Sequence, residues 1–258
     1  MIDLGQSGNG ITIKSSSELE SMREAGRIVG FVLSKLRHTI EPGIRTLELD
    51  VIAEKEIRRL GGIPAFKGYR GFPGTLCVSV NEQIVHGIPG GQVIQEGDIV
   101  SLDLGAIVDG LYGDSAITVP VGHVPEETKR LMEVCEASLF AGIQMVRPGN
   151  RLGDISAAIQ NQIEKSGDYG IVREYGGHGV GRALHEEPFL PNFGAPSRGI
   201  MLRPGMVIAI EPMVNGGGDA TKTLTDKWTV VTADNSISAH FEHTVAVTDN
   251  EPRILTEA

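Results

Sequence analysis

The sequence predicts an α+β fold built by internal duplication, with two halves related by a pseudo-twofold axis. Three observations predict it. A helix-like stretch followed by a turn and a second helix occurs twice, with matching residues. An apolar strand that carries a carboxylate also occurs twice. Each half then sets a further acid at the head of an alternating strand. The 258 residues provide core for one large domain or two small ones.

A polar arm is expected at residues 1–16. Met22, Ala25, Ile28, Val29, Val32, Leu33 and Leu36 then recur at helical spacing. The passage "IEPGIRTLELDVIAEKEIRRLG" follows and reads as a turn, a capped start at Thr46 and a second helix that stops at Gly61. The second half repeats this order. A helix-like stretch from Thr128 to Val146 leads into "VRPGNRLGDISAAIQNQIEKSG". Pro42 aligns with Pro148, Gly43 with Gly149, Arg45 with Arg151, Leu49 with Ile155 and Gly61 with Gly167. Two copies mark a duplicated domain and not a solenoid. The expected boundaries are the arm, one domain at 17–250 with halves at 17–122 and 123–250, and a tail at 251–258.

The strands echo in the same way. "EGDIVSLDLG" lies over "RPGMVIAIEP", which puts Asp103 on Glu211. Side chains alternate along a strand, so Ser101 and Asp103 share a face, as do Ala209 and Glu211. "YGDSAITV" and "HFEHTVAV" form the second pair, with Asp114 and Glu242 ahead of alternating residues. One acid at the end of an apolar strand normally faces water. Four acids at paired positions of a duplication instead predict carboxylates that converge near the pseudo-twofold axis.

Composition excludes several classes of function. With a net charge of −10 and no Lys/Arg stripe, a nucleic-acid-binding surface is excluded as the main role. Cys77 and Cys135 form neither a disulfide framework nor a CxxC zinc pattern. The first residues do not read as a secretory leader. No apolar run approaches the ~18 residues of a membrane span, so no membrane partner is expected and the expected location is the cytoplasm.

Clustered carboxylates repel one another and stay protonated unless cations lie between them. Carboxylates with an imidazole suit Mn, Fe, Co or Zn, and four to six such ligands can hold two ions. His178 and His185 stand in the Gly-rich "EYGGHGVGRALHEEP", and His86 in "QIVHGIPGG". A lone histidine is more often structural, but flanking glycines permit close backbone approach to a ligand. Other motifs are weaker. "GGGDATKT" has Thr221 where a phosphate loop needs glycine, and no GxSxG elbow occurs. A Cys77–His86 nucleophile pair is conceivable, although Cys77 in "TLCVSV" reads as a small packing residue.

Asp103, Asp114, His178, Glu211 in "IEPM" and Glu242 in "FEHT" stand in the order and type of the five metal ligands of methionine aminopeptidases. The chain resembles that family from Ser17 to Thr248, and "GHGVGRALHEEP" and "NEQIVHGIP" look like its signatures. The resemblance implies the pita-bread (creatinase/aminopeptidase) fold, a pseudo-symmetric duplication around a curved antiparallel sheet. The short interval between His185 and Glu211 leaves out the helical insertion of the second type. No Cys/His-rich extension is seen, so the chain looks like the short bacterial form of type I.

The resemblance also implies roles. Asp103, Asp114 and Glu242 would hold one divalent ion, and Asp114, His178, Glu211 and Glu242 the other. Glu211 would shuttle the proton, while His86 and His185 contact the substrate and its tetrahedral intermediate. Phe66, Tyr69, Phe72, Cys77, Leu184 and Trp228 would form the methionine pocket. Phe66 stands where many bacterial relatives have Cys, and Leu184 where a bulkier residue is common. Asn81, Gln83 and Ser238 match a peripheral monovalent-cation site. The implied activity is removal of the initiator methionine when the second residue is small, by a monomer acting on Met peptides and nascent chains. A transient ribosome contact is left open. Two rivals are weighed against this reading: a proline-specific aminopeptidase or prolidase, and a non-catalytic peptide-binding protein on the same fold.

Overall fold

In the computed structural model, residues 6–7 and 10–257 are described, so most of the arm expected at 1–16 is included while residues 1–5, 8 and 9 lie outside. Helix α1, Ser16–Thr39, starts on a capping box: Ser15 accepts from the Glu18 amide, and the Glu18 carboxylate accepts from the Ser15 amide at 2.8 Å. Its buried stripe contains all seven of the apolar residues that predicted it. Helix α2, Thr46–Arg59, differs from expectation at its start. Thr46 is its first helical residue, and the Thr46 hydroxyl is taken by Gly90, accepting from the amide at 2.8 Å and donating to the carbonyl at 3.1 Å. The cap comes from Glu48, which accepts from the Arg45 amide at 2.9 Å.

The second half repeats the pattern. Helix α3 spans Glu126–Ile143 and α4 spans Leu152–Ser166, where Asp154 accepts from the Arg151 amide at 2.7 Å. Glu48 and Asp154 do the same work at equivalent helix starts. Among the described residues, no helix is long and apolar enough to cross a membrane.

Nine strands form one antiparallel sheet. Its path runs Glu186–Leu190, Gly177–Gly179, Val207–Ile210, Glu242–Ala246, Leu111–Pro120, Ile99–Val108 and Ile63–Pro64. Leu76–Val80 pairs with the Asp103 strand and Arg253–Ile254 with the Glu242 strand. The halves meet where the Glu242 strand pairs with the Asp114 strand, and the sequence-matched strands lie one place out on either side. Arg253–Ile254 and the fully buried Leu255 bind the segment expected as a tail into this sheet.

Alternation assigns the two faces. Val100, Leu102, Leu104 and Ala106 pack with Ile28, Val32 and Leu36 of α1 and Leu49 and Ile57 of α2. Ile208, Ile210 and Val245 pack with Leu131, Cys135 and Leu139 of α3 and Ile155 and Ile159 of α4. Each fully buried leucine there stabilises the fold by roughly 1.5–3 kcal/mol. The helices therefore cover one face, and Asp103 and Ala209, at the intervening positions, project from the other.

A buried carboxylate–imidazole face and its cavity

Register brings the acids together. Asp103 opposes Ala116, and Ala116 opposes Glu242, so the three lie on one line across the sheet. A second line, two residues away, runs through Gly105 and Asp114, then Thr244, Ala209 and His178. The Thr244 hydroxyl joins its two parts, donating to the Asp114 carbonyl at 2.7 Å and accepting from its amide at 3.1 Å. Opposed residues point to the same side, as do residues two apart on a strand. Asp103, Asp114, His178 and Glu242 therefore share the face away from the helices. Glu211 joins them just past the end of its strand, two residues after Ala209. Gly105, Ala116 and Ala209 are small, which keeps the space between the acids open.

The resulting cluster is buried and close. Asp114, His178 and Glu242 are 4%, 6% and 2% exposed, and each offers a ligand atom within 4.8 Å of the others. His178 Nε2 lies 3.5 Å from Glu211 Oε1 and 4.0 Å from Asp114 Oδ2. His178 Nδ1 donates to the Gly179 carbonyl at 2.9 Å, which turns the Nε2 lone pair toward the acids. Burial pushes the Asp103 carboxyl up to about 7 and that of Glu211 to about 8. Burial and neighbouring acids raise Asp114 and Glu242 as well. Burial lowers His178 to about 4, so its ring is neutral at pH 7.

Asp103 Oδ1, Asp114 Oδ1 and Glu242 Oε1 are buried without a hydrogen-bond partner among the described residues. Such atoms are costly unless something else satisfies them. A divalent cation would supply the partner and reverse the carboxyl shifts, and this oxygen and imidazole donor set fits one.

The acids floor a cavity of about 600 Å³ that all the residues expected for catalysis and substrate contact also line. Phe66, Phe72, Cys77 and Leu184 form a buried apolar wall, with Tyr69 and Trp228 packed against it. His185 stacks on Tyr69, and the Tyr69 hydroxyl lies 3.0 Å from its Nδ1. The His185 ring centroid is 4.2 Å from that of His178. His86 takes a left-handed φ of 61° and meets the Tyr175 and Trp228 rings edge-on. Burial lowers His86 to about 4. Cys77 opposes Asp103 across the strands, and burial with that nearby charge raises its thiol well above the usual range. A thiol held protonated is a poor nucleophile, so it serves as cavity wall. Residues of "GGGDATKT" run into the strand Thr221–Thr223, and no helix follows to bind phosphate.

Asn81, Gln83 and Ser238 are also brought together, with the Ser238 amide donating to the Asn81 carbonyl at 2.9 Å. Their side chains bond within the protein: Asn81 Oδ1 accepts from Ile99, Gln83 Oε1 from Val80, and Ser238 Oγ donates to Asn215.

Sequence reasoning missed His240, which is 1% exposed with Nε2 3.5 Å from Glu211 Oε2. Neither of its ring nitrogens has a hydrogen-bond partner among the described residues. Its position two residues before Glu242 was the available signal. Tyr175 and Arg70 also line the cavity, and nothing in their local sequence marks them.

Comparison with known proteins agrees with this geometry. The model of metallopeptidase family M24 matches residues 20–249. Methionine aminopeptidase 1 of Bacillus subtilis is 54% identical over 95% of this chain and 99% of its own. The Mycobacterium tuberculosis methionine aminopeptidase 1 is 49% identical over 94% of each chain. The crystal structure of the Thermotoga maritima methionine aminopeptidase superposes with a TM-score of 0.94, at 46% identity over 96% of this chain and 100% of that one. The prolidase of Pyrococcus furiosus, at 23% identity and a TM-score of 0.77, shares the fold, and this chain covers 65% of it. The fold is therefore the pita-bread fold, and the chain belongs to metallopeptidase family M24, among its methionine aminopeptidases.

Proposed function

We propose that the chain removes the N-terminal methionine from peptides and nascent proteins whose second residue is small. It acts in the cytoplasm as a monomer with a transient ribosome contact. One observation carries this reading: a carboxylate–imidazole face with unpartnered carboxylate oxygens opens directly onto a cavity with a buried apolar wall.

Asp103, Asp114 and Glu242 would hold one divalent ion, and Asp114, His178, Glu211 and Glu242 a second, drawn from Mn, Fe, Co or Zn. When bound, the ions supply an acidified water and a Lewis acid for the peptide carbonyl. The methionine side chain lies against Phe66, Phe72, Cys77, Leu184 and Trp228, which places the first peptide bond over the acids. Glu211 takes a proton from the attacking water and returns it to the leaving amine. With the Tyr69 hydroxyl donating to His185 Nδ1, the ring proton would stand on Nε2. From there His185, with His86, donates to the carbonyl oxygen as charge develops on it. A monovalent cation beside Asn81, Gln83 and Ser238 belongs to the same reading.

The test is hydrolysis of Met-Ala-Ser against X-Pro peptides, with added Mn or Co. Cleavage of Met-Ala-Ser alone is expected. Preference for X-Pro peptides would make the chain a prolidase-like enzyme. Peptide binding without cleavage of either would make it a binding protein.

A further inference from the structure

The segment ahead of α1 contains a buried lysine. Lys14 is 5% exposed, and its ammonium lies 2.8 Å from Glu186 Oε2. A charge taken this far out of water is retained only where a partner and further hydrogen bonds compensate it. The partner is the residue directly after His185.

Glu186 is bonded at both oxygens. Its Oε2 also accepts from the Thr12 hydroxyl at 2.5 Å, and its Oε1 accepts from the amides of Arg182 at 2.7 Å and Ala183 at 3.2 Å. One carboxylate thus closes the loop 181–185 on itself and ties it to the arm. Gly181 fits closely against the pair, since a Cβ there would lie 2.4 Å from Lys14 Cε and 2.6 Å from Glu186 Oε1. Arg182 makes a second tie, to Glu18 in the first turn of α1. The loop carries Leu184 and His185 into the cavity wall. Among the described residues, its backbone–backbone bonds run from the Tyr112 amide to the Gly181 carbonyl and from the Gly181 amide to the Ala183 carbonyl.

We infer that Lys14 is a positioning residue for the peptidase reaction: through Glu186 it fixes the loop that presents His185 and Leu184 to the substrate. This rests on the function proposed above. The arm then supports the active-site wall, although none of its described residues lines the cavity. Lys14→Met keeps the side chain as far as Cε and removes the charged end that draws Glu186 toward the arm. His178 precedes the loop but is held by the pairing of its strand with Ala209, and the four acids lie on other strands, so they keep their places.

The test uses the full chain with metal. Lys14→Met should retain wild-type metal affinity while kcat falls about 10- to 10²-fold, the scale of a misplaced catalytic group. The ¹⁵N signal of His185 Nδ1, set by its bond to Tyr69, should shift in the folded variant. A folded, metal-loaded Lys14→Met with wild-type kcat and an unmoved His185 signal overturns the inference. If Lys14→Met does not fold, Lys14→Met/Glu186→Gln removes the uncompensated charge and is read by the same two measurements. The ring signal needs no substrate, so it decides the inference even if the wild type leaves Met-Ala-Ser intact, a result that would sink the proposed function instead.

Discussion

The two halves reach the same face by different means. In the first half, Asp103 and Asp114 sit inside strands of ten residues each, paired without a break from Ile99–Pro120 to Val108–Leu111. In the second half, Glu211 follows a four-residue strand, Glu242 opens a five-residue one, and His178 lies in a three-residue strand of Gly-His-Gly. A continuous ladder holds its side chains rigidly. Strand ends and Gly-flanked positions let imidazoles and a carboxylate approach one another. The duplication has kept the acids and specialised their surroundings: the first half sets its two acids in one continuous ladder, and the second sets its acids and His178 at strand ends and between glycines.

The largest effect should come where the halves join. Asp114→Asn and Glu242→Gln each remove a carboxylate assigned to both ions, so metal content and peptidase activity should be lost together. Circular dichroism should show the chain still folded. Full activity in either variant would break the idea that the acids of both halves act as one site.

The next effect separates the histidines of the site from one another. His178→Ala should lose metal affinity directly. His185→Ala and His86→Ala should keep their metal while kcat/KM falls on the order of 10²–10³-fold, the cost of one donor to a developing oxyanion. Calorimetric metal titration beside steady-state kinetics reads both quantities.

Backbone crowding sharpens the contrast further. A Cβ at Gly105 would meet the Phe66 ring at 2.7 Å and the Ala65 Cβ at 2.9 Å, whereas one at Gly179 would meet the Glu187 carbonyl oxygen at 2.2 Å. A ring can turn aside, but a backbone oxygen moves its strand with it. Gly105→Ala should cost about 1–3 kcal/mol in urea unfolding and raise KM through Phe66. Gly179→Ala should cost more and should also weaken metal binding, because His178 is its neighbour. Equal losses would contradict the distinction between the continuous ladder and the Gly-flanked strand.

The smallest effect lies at the two matched helix starts. Asp154 accepts from the amides of Arg151 and Ser197, both at 2.7 Å, while Glu48 accepts from the Arg45 amide at 2.9 Å. Asp154→Ala should therefore destabilise by about 1 kcal/mol, and Glu48→Ala by less. The Arg151 and Ser197 amides hold the Asp154 carboxyl below the usual range. Its folded pKa thus lies under the unfolded value of about 3.9. The stabilisation is complete above that pH and disappears as the pH falls through the lowered value. Thermal melts between pH 3 and pH 6, wild type against Asp154→Ala, follow it.

Legibility in the sequence tracks the range of the interaction. The helices could be read because their apolar spacing is local, as at Met22 to Leu36. The five metal-ligand candidates could be read because residue type, order and duplication survive in one dimension. Register could not: alternation assigns Asp103 and Glu242 to faces but does not say that Ala116 stands between them. Thr46 misled as a cap because its hydroxyl is claimed by Gly90, which local sequence cannot foresee. Lys14 and Glu186 were invisible as a pair for the same reason, since they meet only after the arm packs against the sheet. His240 had a local signal, but the break between its strand and that of Glu242 at Phe241 hid the alternation.

The most direct test of the central claim is calorimetric titration of Mn or Co into metal-free protein. If the acids of both halves and the imidazole of the second form one site, the wild type takes up two ions and Asp114→Asn loses both. A wild type that saturates with one ion, or an Asp114→Asn variant that still binds two, would contradict it.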